Sequence, residues 1–256
     1  MFLNGLATAV PPRRFTQSEC WAALQLAPQF SQLNARSQAL LRKVLSGANG
    51  IATRHMVMAN WEEAFVLTPD VLHARFAEHA PVLATQAAER ALATARLKPT
   101  EVDAVLISTC TGYLCPGLTS HVSERLGLRP DVQALDLVGQ GCGAALPKVP
   151  ALAAKHVGNL LADMLNRHPL KRAELTGWIL HAGGREVLAA VQQRLGLSEP
   201  DLRRSADVLR DFGNVSSPFV LFVLERALAQ NAPGGWWWMS SFGAGFSCHG
   251  ALLKVD

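Results

Sequence analysis

The chain has 256 residues, 49% hydrophobic and 17% charged. This composition excludes a disordered or fibrous chain and allows one large domain or two modest ones, each with a real core. The formal charge of +4 comes from 24 basic residues scattered among 20 acidic ones, which excludes a nucleic-acid tract and suits an anionic small ligand.

In chain order, the N-terminal stretch up to Phe15 is apolar but lacks a basic region before the apolar part, and it reads as a strand, not a signal peptide. Thr16 and Glu19 form a capping box that starts a helix. Residues 37–45 continue as helix and stop at Gly47 and Gly50. Residues 52–58 read as extended. From Thr68 to about Leu97 the apolar residues recur at helical spacing, with a break expected near Pro81. Residues 102–109 form a continuous apolar run of strand length, as in a buried sheet. A helix near 118–126 follows, and then a strand at 132–138 runs into Cys142. The second half alternates in the same way: helix at about 149–166, strand 177–182 ending at His181, helix from Arg185, and a very apolar helix at 214–229. The last segment reads as two strands joined by a Gly-rich turn at 243–245, and Trp236–Trp238 as a strand with one buried face. Strand and helix alternation predicts an α/β layered fold. With no apolar run of about 18 residues, no membrane span is expected.

Five cysteines, 20, 110, 115, 142 and 248, are odd in number and irregularly spaced. They argue against a disulfide framework and for a reducing, cytoplasmic compartment. Cys110 and Cys115 lack the spacing and the second pair of a zinc site, so no metal is expected.

Three polar residues stand at the edges of apolar elements. Cys142 lies between Gly141 and Gly143 at a strand-to-helix turn. A helix N-terminus there favours thiolate, and the glycines let a carbonyl approach. His181 closes a buried strand, where ligand-facing residues sit in parallel sheets. Asn214 opens a helix after Gly213, as a cap or with its amide aimed into a cleft. A thiol, an imidazole and an amide suffice for acyl transfer: the histidine stabilises the thiolate, and histidine with the amide stabilises a thioester oxyanion. Read singly, a cysteine is also a small hydrophobe and a strand-terminal histidine a hydrogen-bonded core residue.

Five stretches, "CTGYLCPGL" (110–118), "GCGAALP" (141–147), "GWILHAGGREVL" (177–188), "DFGNVSSPFVLFVLE" (211–225) and "SSFGAGFSCHGALL" (240–253), resemble in order the motifs of bacterial type III polyketide synthases, the chalcone- and stilbene-synthase-like family. The resemblance implies a thiolase-like fold of two similar α/β halves. It further implies a homodimer, no metal or organic cofactor, and acyl-CoA and malonyl-CoA as substrates. It makes Cys142 the acyl-carrying nucleophile. His181 and Asn214 become the pair that assists malonyl-CoA decarboxylation. Cys110, Thr111, Cys115 and Ser216 then line the cavity, and Phe242, Gly243 and Gly245 belong to the loop shaping the cyclisation chamber. Arg54 lies where the family places basic residues for CoA phosphates. The implied chemistry is condensation of a starter acyl group with malonyl units, then cyclisation to a pyrone, resorcinol or other phenolic ring. Small residues at 110, 111 and 115 lean toward a fatty acyl starter.

The spacing departs from the family. From His181 to Asn214 it is normal, but the 39 positions from Cys142 to His181 are short by on the order of a hundred residues, more than a loop change explains. The break reads as falling between Pro147 and Lys148. This makes 1–147 an N-terminal half truncated at its end and 148–256 a C-terminal half without its first strands, an incomplete thiolase-like fold that exposes apolar strand faces. Two other readings stay open: a ketoacyl-ACP synthase III-like single condensation, and a catalytically impaired remnant. A cysteine hydrolase fits less well, because no water-positioning carboxylate motif is present.

Overall fold

Thr16 caps the first helix as its sequence predicts: its side chain accepts from the Glu19 N–H at 3.2 Å, and Glu19 reaches back to the Thr16 N–H at 2.6 Å. The structure is a computed structural model and describes residues 2–46, 49–138, 149–243 and 247–256. Cys142, the 147/148 break, Gly47 and Gly245 lie outside the described residues. The chain divides into two compact units, one of residues 1–41 and 55–141, the other of 42–54 and 142–256.

The early elements are β1 (Arg13–Thr16), α1 (Gln17–Leu26), α2 (Pro28–Ser31), α3 (Ala35–Ser46), β2 (Thr53–Met56) and α4 (Trp61–Ala64). The expected N-terminal strand shrinks to β1, and residues 2–10 have no regular structure. The apolar letters there lack the alternation that would give a strand one buried face. Helix α5 (Pro69–Ala95) runs unbroken through Pro81, against expectation. The proline ring is fully buried, and its packing offsets the one backbone bond lost.

In the first unit, β3 (Ala104–Thr109), α6 (Leu118–Leu126) and β4 (Gln133–Val138) make a right-sized crossover unit. The strands pair in parallel, Ala104 opposite Gln133 through Thr109 opposite Val138. Leu114, Leu118 and Val122 form a core with Phe76, Ala80 and Ile107. Asp136 on β4 ties the start of α6, accepting from the Thr119 N–H at 3.1 Å and the Thr119 hydroxyl at 2.5 Å. The predicted two-sided burial of this sheet is corrected: burial alternates along β3. Leu106, Leu135 and Leu137 are exposed. Paired residues share a face in this register, and among the described residues helices cover only the face of Val105 and Ile107.

The second unit contains α7 (Val149–Arg167), β5 (Leu175–Leu180), α8 (Arg185–Leu195), α9 (Glu199–Phe212), α10 (Phe219–Ala229), β6 (Gly235–Gly243) and β7 (Ser247–Val255). Its sheet has the order β5-β6-β7, parallel then antiparallel. Helix α9 was not anticipated, although Ser198 and Asp201 form its capping box. Helix α10 begins at Phe219, not at residue 214, because Pro218 supplies the N-cap. The tryptophan run is buried on both faces, not one. Successive side chains point to opposite sides of a strand, yet Trp237 and Trp238 are both buried. Helix α7 packs on β6 and β7, and α9 and α10 pack on β5. Gly177 and Gly250 make room: a Cβ on either would fall 2.5 and 2.3 Å from the Trp237 and Trp238 rings. No helix among the described residues is long and apolar enough to cross a membrane.

Candidate active site

His181 stands one residue beyond β5, and its N–H donates to the Ser240 carbonyl at 3.0 Å, which carries the β5–β6 pairing one step further. The side chain is 3% exposed. Its Nε2 lies 3.3 Å from Asn214 Oδ1. Two phenyl rings stack on the imidazole: Phe242 at 4.5 Å with planes 15° apart, and Phe219 at 5.4 Å with planes 28° apart.

Asn214 does not cap α10; it sits in the turn between α9 and α10. Its Nδ2 donates to the Gly183 carbonyl at 3.0 Å, and its Oδ1 accepts from the Ser216 N–H at 3.0 Å. Both partners define which end of the amide is which, since a flip would set oxygen against oxygen and N–H against NH₂. Ser216 holds this contact with a left-handed backbone, φ 63°, and its buried hydroxyl has no hydrogen-bond partner among the described residues. A serine in that region is strained, and such strain gathers at functional sites.

The start of β2 and the residue before it brace the same turn. The Ala52 N–H donates to the Arg210 carbonyl at 2.8 Å, and the Thr53 hydroxyl to the Asp211 carbonyl at 2.5 Å. Both acceptors lie at the C-terminal end of α9, three and four residues before Asn214. Arg54 follows: its Nη1 would be 3.1 Å from a Cβ on Gly213. Arg54 therefore borders the asparagine turn.

Burial pushes the His181 imidazole below its ordinary value, against smaller opposing effects of the Asn214 hydrogen bond and the Phe242 backbone. The ring is neutral at neutral pH. Among the described residues Nδ1 has no partner that meets strict hydrogen-bond geometry, and the Phe242 backbone is the polar group that acts on the ring besides Asn214. Cys248 lies beside this region, paired across β6 and β7 with Phe242. Burial pushes its thiol up to about 11, so it stays protonated and unreactive at neutral pH.

The second unit thus gathers His181, Asn214, Ser216, Phe242 and Arg54, with Gly243 at the end of β6. Cys110, Thr111 and Cys115 belong to the first unit, exposed on the loop after β3. A small hollow beside that loop is lined by Phe76, Tyr113, Leu118, Asp136 and Val138, and by none of the three. No cluster of metal-ligating side chains occurs among the described residues. Sequence reasoning missed Phe219, Gly183 and Ser240. The doubled glycine after His181 signalled an unusual turn at Gly183, whose φ is +52°, but nothing local marked Phe219 as a neighbour of the histidine.

The fold and the His–Asn pair place the chain among the thiolase-like α/β proteins. It aligns with the crystal structure of PKS-I from the brown alga Ectocarpus siliculosus with a TM-score of 0.87 and 21% identity, covering 99% of this chain and 98% of that one. The crystal structure of CsyB complexed with CoA-SH aligns with a TM-score of 0.87 and 18% identity, covering 98% and 99%. Residues 9–161 match the profile of FAE1/type III polyketide synthase-like proteins, and residues 133–255 that of the chalcone and stilbene synthase C-terminal domain. The chain belongs to the type III polyketide synthase-like family.

Among curated relatives, the 3,5-dihydroxyphenylacetyl-CoA synthase of Amycolatopsis orientalis is 34% identical over 110 residues, 42% of this chain and 30% of that one. The chain thus spans less than a third of that relative's length. The 1,3,6,8-tetrahydroxynaphthalene synthase of Streptomyces peucetius subsp. caesius is 25% identical over 350 residues, 96% of this chain and 91% of that one. An alignment of 350 positions exceeds the 256 residues present. At least 94 of its positions therefore have no residue of this chain opposite them.

Proposed function

We propose that this chain is a condensing acyltransferase of the type III polyketide synthase type. The observation that carries the reading is the buried, neutral His181 held 3.3 Å from an oriented Asn214 amide in a chain of this family. The Cys142 thiolate attacks the carbonyl of an acyl-CoA starter, and CoA leaves as the thiol after taking up a proton. Malonyl-CoA then loses CO₂, and its thioester oxygen becomes an enolate. The His181 Nε2–H and the Asn214 amide, turned from Gly183 toward substrate, donate to that oxygen. Both donors are engaged within the protein before substrate binds, Nε2–H with Asn214 Oδ1 and the amide with the Gly183 carbonyl, and they exchange these partners for the developing charge in a water-poor site. The enolate carbon attacks the acyl–Cys142 carbonyl, the C–S bond breaks, and the thiolate is restored with a β-ketoacyl-CoA as product.

The reading extends to a fatty acyl starter, repeated extension, and closure to a pyrone or resorcinol. Ser216, Phe242, Gly243 and Gly245 shape the chamber, Cys110, Thr111 and Cys115 line the acyl path, and Arg54 meets CoA phosphate. A cytoplasmic homodimer without cofactor, built from halves 1–147 and 148–256, completes it. The likeness to a protein crystallised with CoA-SH and the mildly basic charge support CoA thioesters.

A second reading, an impaired remnant, is favoured by the 94 or more unmatched positions and by the open apolar face of β3 and β4. Intact mass after incubation with a fatty acyl-CoA decides between them. An acyl adduct that is lost in Cys142→Ala supports the synthase. A folded chain without any adduct supports the remnant.

A further inference from the structure

The hydrogen bonds at Asn214 determine a proton position on its neighbour. Because Oδ1 is the atom that accepts from Ser216 N–H, the atom facing it from His181 must be a donor. The 3.3 Å contact therefore requires hydrogen on Nε2, and the unpartnered Nδ1 carries the lone pair. A ring turned by 180° about its χ2 bond would lose this bond. The loss of that bond opposes the turn, and the rings packed on the two faces of the imidazole add a steric barrier to it.

Two side chains supply that barrier. Phe242 belongs to the segment already singled out for the chamber. Phe219 does not: it is the first residue of α10, with no exposed surface, and its ring stacks on the imidazole with planes 28° apart. Stacked rings at this separation exclude water and restrict rotation of the ring plane. The Pro218 N-cap places Phe219 at the start of α10, three residues past Ser216, so one short segment carries both the amide and the ring that orient the histidine.

We propose that Phe219 is a positioning residue for His181: its ring, together with that of Phe242, holds the imidazole so that the Nε2–H faces Asn214. The role rests on the proposed function for its catalytic consequence but not for its structural one. Near-attack geometry is sensitive to small displacements of such groups.

The test uses the full chain labelled with ring-¹⁵N histidine, the His181 signals being assigned by their loss in His181→Gln. The wild type shows the neutral ring protonated on Nε2. In Phe219→Leu a second population protonated on Nδ1 appears, and malonyl-CoA decarboxylation slows about tenfold in kcat with KM changed less than about twofold. Phe219→Met is read in parallel, and folding of each variant is checked by circular dichroism. A wild-type ring protonated on Nδ1 overturns the proposal. So do folded variants that keep the wild-type nitrogen shifts. If no form of the chain decarboxylates malonyl-CoA, the proposed function falls, and the nitrogen shifts alone still decide the role of Phe219.

Discussion

Leu106 and Leu135, at the centre of the first unit's sheet, are 63% and 51% exposed, whereas Trp237 and Trp238 in the second unit are 1% and 0% exposed. The leucines face each other on two parallel strands, and the tryptophans are neighbours on the central strand of a mixed sheet. The difference lies in what covers them. Strands β3 and β4 have helices on one face only, and among the described residues they have no further strand at either edge. Strand β6 has a neighbour on each side and helices on both faces. Parallel sheets are stable when both faces are covered, and among the described residues the first sheet has helices on only one of its two faces. The His–Asn pair lies wholly within the better-covered unit.

This contrast can be broken most sharply at the site. His181→Ala is expected to lower malonyl-CoA decarboxylation by about 10²–10⁴-fold, and Asn214→Ala by about 10²–10³-fold, measured as CO₂ release. Cys110→Ser, in the other unit, should change it by less than about threefold, as a substitution outside the proton-handling pair. Equal losses in both units would end the idea that the chemistry is concentrated in the second.

Stability should follow burial. Trp238→Ala costs about 3–5 kcal/mol in urea unfolding, while Leu106→Ala stays within about 0.5 kcal/mol because the side chain is already in water. A large loss at Leu106 would mean that its face is covered in solution.

The pH dependence is smaller. Burial holds His181 neutral when folded, while the unfolded ring binds a proton below about pH 6.5. The unfolded state then binds more protons, so stability is complete above pH 6.5. It falls as pH drops from there toward the depressed folded value, by at most about 1.4 kcal/mol per pH unit. Melts at pH 7.5 and 5.5 should show a larger drop for the wild type than for His181→Gln. An equal drop would place the titration elsewhere.

The mildest change is the double variant Leu106→Lys, Leu135→Lys. It should leave urea stability within about 0.5 kcal/mol while reducing self-association in light scattering, as expected when an exposed apolar patch is interrupted. Unchanged association would show that this face is not the adhesive one.

Much of this was legible in the chain itself. The capping box at Thr16 and Glu19 and the helices at 118–126 and 149–166 follow from local caps and 3.6-residue periodicity, which neighbours in sequence determine. The ordered motifs around His181 and Asn214 named the family, which the family profiles bear out. Tertiary structure decided the rest. Helix α5 passes through Pro81 because packing buries the ring. Asn214 is left in a turn because α10 starts late. The tryptophans are buried on both sides because β6 is central in its sheet. Phe219 reaches His181 because α10 packs on β5. Apart from the start of α10, which Pro218 marks locally, each is set by which surfaces the fold brings together, and only the folded chain contains that information.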